Sequence, residues 1–72
     1  MDKTHLEATL ALVEHHVLRG EIHVARQREI VAEKKRLGVD HILSASLLET
    51  FEMLLCEHRA HRNNLLRALG AA

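Results

Sequence analysis

The chain has no proline, no tryptophan and no tyrosine, and only three glycines. Nothing in its covalent backbone forbids helix, and few positions invite a turn. Phe51 is the only large aromatic residue, so the chain cannot build an aromatic-lined pocket. Cys56 is the only cysteine, which excludes an internal disulfide and any cysteine-based metal spacing. Lysine plus arginine balance aspartate plus glutamate at 10 each, so no long-range field draws the chain to nucleic acid or an anionic membrane. No stretch approaches the roughly 18 uninterrupted apolar residues of a membrane span. No apolar run follows a basic N-terminal start, so no secretory signal is expected and a cytoplasmic location is the default.

What remains is helix-forming throughout. Ala, Leu, Glu, Arg and His dominate, and 47% apolar content argues against disorder in a chain of 72 residues. The only convincing break is Leu37-Gly38-Val39-Asp40. Gly38 can adopt the left-handed conformation that closes a helix, and Asp40 can accept from the free N–H groups of the next. So short a connection forces the flanking helices to run antiparallel and touch. The expected organisation is one domain, 1–72, with a helix at 4–37, a turn at 38–40 and a helix at 41–69. Thr4 to Glu7 reads as a capping box for the first helix, Lys34, Lys35 and Arg36 match its negative end, and Gly70 is the expected stop of the second. Ser46 to Glu49 mimics another capping box but falls after the apolar pattern has begun, so it is read as helix interior.

Leu6, Leu10, Val13, Val17, Gly20, Val24, Gln27 and Val31 step alternately by four and three, which is a heptad seam. Ala8, Ala11, His15, Leu18, Ile22 and Ala25 form a second row, which implies that the helix is covered on two sides. In the second helix the expected seam is Ser44, Leu47, Phe51, Leu54, His58, His61, Leu65 and Ala68, with Ala45, Leu48, Leu55, Leu66 and Leu69 beside it. Folding at Gly38 then sets His58 opposite Gly20, Phe51 opposite Gln27 and His61 near Val17. A lone hairpin leaves the second rows in water, and small domains need extra burial. The fold is therefore expected to be all-α: a long antiparallel helical hairpin that self-associates as a homodimer into a four-helix bundle, or that docks a helix of another protein.

Seven histidines are the other prominent feature. His5 and His41 lie beside helix starts, and His15 belongs to the second row. The expected register gathers His16, His23, His58 and His61 around Gly20 at the middle of the hairpin. A glycine inside a helix costs about 1 kcal/mol relative to alanine, so a close approach or a bulky neighbour is expected opposite it. The leading reading of the cluster is a buried polar layer that fixes register and oligomeric state, with Gln27 opposite Phe51 in the same role. The alternative is a metal site, zinc before nickel, copper or iron, held by His16, His23, His58 and His61; haem or another ligand is more remote. The Glu-x-x-His pattern of di-iron bundles and the His-Glu-x-x-His pattern of zinc proteases are both missing. Because imidazole takes up a proton near pH 6.5, either reading predicts association that weakens on acidification. Cys56 falls away from the cluster and is expected to be a buried or interface thiol. Glu49 and Glu52 are expected to meet arginines of the other helix.

The pattern His16-x-x-x-Gly20-x-x-His23, Gln27, the Gly38 turn, Phe51-Glu52 and His58-x-x-His61-Arg62 resembles a group of short uncharacterised alphaproteobacterial helical proteins. Val24 departs from the isoleucine that the group tends to carry. The resemblance covers most of the chain and implies kinship without an activity. No nucleophile with a base and no phosphate loop is present, so an enzyme is not expected. A non-enzymatic interaction or regulatory protein is.

Overall fold

Gly38 reverses the chain. In the computed structural model, which describes residues 2–71, its backbone lies at φ 72° and ψ 21°. A side chain there costs roughly 1–2 kcal/mol, which is why glycine occupies it. The Gly38 N–H donates to the Lys35 carbonyl at 3.1 Å and the Val39 N–H to the Lys34 carbonyl at 3.0 Å. These are the paired bonds of a Schellman helix end, and they satisfy carbonyls that would otherwise be orphaned. Asp40 then opens the next helix, its Oδ1 accepting from the Ile42 N–H at 3.0 Å. The result is an antiparallel pair, α1 (Lys3–Leu37) and α2 (Ile42–Ala71), forming a rod of 53 × 14 × 14 Å. No strand occurs among the described residues.

Two helix ends differ from expectation. Asp2, not Thr4, caps α1: its carboxylate accepts from the His5 N–H at 2.8 Å. Both residues are good caps, and capping at Asp2 brings Lys3 and Thr4 into the helix. Glu7 turns instead towards Lys3, at 3.9 Å. At the other end Gly70 does not stop α2, which continues to Ala71. Gly38 is the only described glycine at positive φ. A glycine closes a helix only where the following backbone folds back, and alanine, the best helix former, follows Gly70 instead. The Ser46 mimic is helix interior as expected, with Thr50 Oγ1 donating to its carbonyl at 3.2 Å.

The seam of α1 is the one its spacing predicts. Val13, Val17, Val24, Gln27 and Val31 are buried, with Leu6, Leu10 and Gly20 partly so. The seam of α2 takes the alternative phase. Leu55 and Leu65 are buried, and Leu48, Phe51, His58, Arg62 and Leu69 are half-buried, whereas Leu47, Leu54, His61 and Ala68 are exposed. The two phases share Ser44, Phe51, His58 and Leu65, so apolar spacing alone does not separate them. Cross-helix charge does. With Leu48 and Leu55 inward, Glu52 meets Arg28 at 3.4 Å and Arg59 meets Glu21 at 3.7 Å.

The register shifts by about one helical turn to match. Leu55, not His58, lies opposite Gly20, and Phe51 packs against His23 rather than Gln27. Leu55 fits the hole left by Val17, Gly20 and Val24, in knobs-into-holes fashion. A β-carbon added at Gly20 would stand 3.1 Å from Leu55 Cδ1, so the glycine serves close approach of the helices. Burying a leucine this far stabilises by roughly 1.5–3 kcal/mol. Gln27 spans the seam lower down, its Nε2 donating to the Ser44 carbonyl at 3.0 Å.

Candidate functional site

Each helix has a row on either side of its seam, and in an antiparallel pair like rows meet across each flank. One flank is charged. It carries Glu14, Glu21 and Arg28 from α1 with Ala45, Glu52, Arg59 and the exposed Leu66 from α2, and among the described residues it holds the two interhelical ion pairs. The other flank bears no formally charged residue in its rows. It carries Thr9, His16, His23 and Ile30 from α1 with Leu47, Leu54, His61 and Ala68 from α2. At its middle a groove of about 440 Å³ is lined by His15, His16, Arg19, Gly20, His23, Phe51, Leu54, Leu55 and His58.

The structure divides the four histidines that the sequence reading joined. His16 and His58 meet, their rings stacked with centroids 5.1 Å apart. His23 sits one step towards the turn, its ring 5.7 Å from that of Phe51. His61 is exposed and does not line the groove. One turn of register accounts for this: His58 moves from Gly20 to His16, and the phase change carries His61 off the seam. Among the described residues no group of three or more histidine, cysteine, aspartate or glutamate side chains is placed to hold a metal ion. Two stacked imidazoles alone fall short of the four ligands of a structural zinc site. Cys56 lies outside the groove as expected, but it is exposed rather than buried. Glu52 finds its arginine; Glu49 makes no ion pair among the described residues.

Two other apolar surfaces are open. The outer row of α1 exposes Leu18 and Ile22, each 57% accessible. Beside the turn, Ile42 and Leu43 protrude, Leu43 at 84%. The central groove differs from both because it is drawn from both helices, whereas the shallower depression beside Ile22 is lined by α1 alone. Sequence reading missed Leu47 and Leu54 as surface residues, assigning them to the seam; their exposures are 44% and 45%. No helix among the described residues is long and apolar enough to cross a membrane.

No known protein family, curated protein or solved structure matches this chain.

Proposed function

We propose that this chain is a small, non-enzymatic interaction protein that acts by helix docking, either with itself or with a helix of another protein, in a regulatory role. The observation that carries this reading is the asymmetry of the two flanks. A free-standing hairpin gains from polar groups on both sides. Here one side holds two interhelical ion pairs, with Leu66 open at its far end, while the other has no ion pair among the described residues and exposes Leu47 and Leu54 around a groove at half-height. Helices of bundles place apolar residues on the seam plus one flanking row, and α2 does so with Leu47, Leu54 and Ala68.

The test is a charge placed on the flank. Leu47→Glu and Leu54→Glu are expected to abolish association while circular dichroism stays helical. Light scattering and co-purification read the outcome. Association that survives both charges, or that is lost only with Ile22→Glu on the outer row, would refute the assignment.

A further inference from the structure

We infer that the occupant of the open flank is a second copy of this chain, packed antiparallel about a two-fold axis through the central groove to give a four-helix bundle. This deepens the docking reading and rests on it.

Area is the first argument. A compact monomer of 8.2 kDa is expected to expose about 4,500 Å², whereas this chain exposes 5386 Å². The excess of roughly 850 Å² matches the roughly 800 Å² that each partner contributes to a standard interface. Among the described residues no large side chain is fully enclosed, so the pair of helices has no complete core of its own.

Size complementarity is the second. The groove lies at the midpoint of the rod, where the axis must cross for two such rods to overlap fully. Rotation about that axis lays α1 on its own copy and α2 on its own copy. On α1, Ile30 then meets Thr9 of the second copy, so a bulky residue near the turn falls on a small one near the open end. On α2, where Leu55 is level with Gly20, Leu54 falls beside its own copy at the axis. Near the axis His23 meets His16, so the stacked pair and its copy form a polar layer in the middle of the bundle. Such a layer fixes register in helical assemblies. Arg19, an exposed residue of the groove lining, can keep its guanidinium in water on its long stem. The contact is isologous and closes on itself, which yields a dimer and no filament.

The charged flank cannot serve in this way, because docking there would strip water from the Arg28–Glu52 and Arg59–Glu21 pairs.

The experiment is sedimentation equilibrium of the full chain from micromolar to millimolar concentration. Wild-type protein is expected to give twice the chain mass. Leu54→Glu is expected to weaken association on the order of a hundredfold. Leu43→Glu beside the turn and Leu18→Glu on the outer row are expected to leave the mass unchanged. A spin label on the exposed Cys56 gives a second measure: a single inter-copy distance in the wild type that vanishes in Leu54→Glu. Wild-type protein that stays monomeric throughout overturns the inference, as does a dimer broken by Leu18→Glu and spared by Leu54→Glu. A fluorescent amphipathic leucine-lysine peptide separates the two readings. Its binding to a monomeric wild type, lost in Leu54→Glu, removes the second copy and keeps helix docking; absence of binding removes both.

Discussion

The ring of His16 on α1 lies over the ring of His58 on α2, with planes 24° from parallel. Among the described residues this is the one pair of imidazole rings that the two helices bring together. The residues lining the groove around them include His15 and Arg19 and no carboxylate.

Gly20 tests close packing. Alanine recovers about 1 kcal/mol of helix propensity, but its methyl group presses on Leu55 Cδ1 at 3.1 Å. That atom is the end of a side chain and needs to yield only a few tenths of an ångström, so Gly20→Ala is expected to be near neutral. Gly20→Leu must displace Leu55 altogether and is expected to destabilise by about 1–3 kcal/mol. Denaturant unfolding monitored by circular dichroism measures both. A stable Gly20→Leu would mean that the helices are not held at this separation.

The turn and the seam of α1 were legible in the sequence because each rests on local signals: a glycine and an aspartate two residues apart, and one unambiguous alternation of four and three. The phase of α2 was harder to read. Ser44, Phe51, His58 and Leu65 belong to both possible seams, and the correct one puts Arg62 inward, which hydropathy disfavours. A half-buried arginine is tolerated because its stem packs while its head reaches water. The charges of Glu52 and Arg59, matched against Arg28 and Glu21, held the deciding information across the fold rather than along the chain. Once the phase is misread, the register follows, and with it the membership of the histidine cluster.

Acid should release the end of α1. Arg36 Nε donates to Glu33 at 3.0 Å, which holds the Glu33 carboxyl below its ordinary 4.5 and raises the Arg36 guanidinium above its usual value. The small stabilisation is present above the unfolded value of Glu33 and is lost as pH falls through the depressed one. Both groups are in water, so salt should weaken it. Carboxyl NMR titration is expected to place the Glu33 midpoint below 4.5 in the wild type and to return it towards that value in Arg36→Gln. An unchanged midpoint in Arg36→Gln would remove the ion pair as the cause.

Gln27 separates stability from specificity. It lies at 7% exposure between Val24 and Val31, where a heptad ordinarily takes an apolar side chain, and it donates to the Ser44 carbonyl at 3.0 Å. Leucine there loses one hydrogen bond, worth about 0.5–1.5 kcal/mol net. It gains apolar burial of roughly 1.5–3 kcal/mol. The Ser44 carbonyl keeps its helical partner four residues on, so no buried acceptor is orphaned. Gln27→Leu should therefore match or exceed the wild type in denaturant, whereas Gln27→Ala, which loses both bond and volume, should be weaker by about 1–3 kcal/mol. The loss in Gln27→Leu should appear in register instead. With no polar group to reject it, the pairing one turn away, which sets Phe51 against residue 27, becomes competitive. Cross-helix NOEs between His23 and Phe51 report the native register, and a second set linking Phe51 to residue 27 should emerge in Gln27→Leu. A single undivided set of NOEs in that variant would show that the Ser44 bond does not select the register.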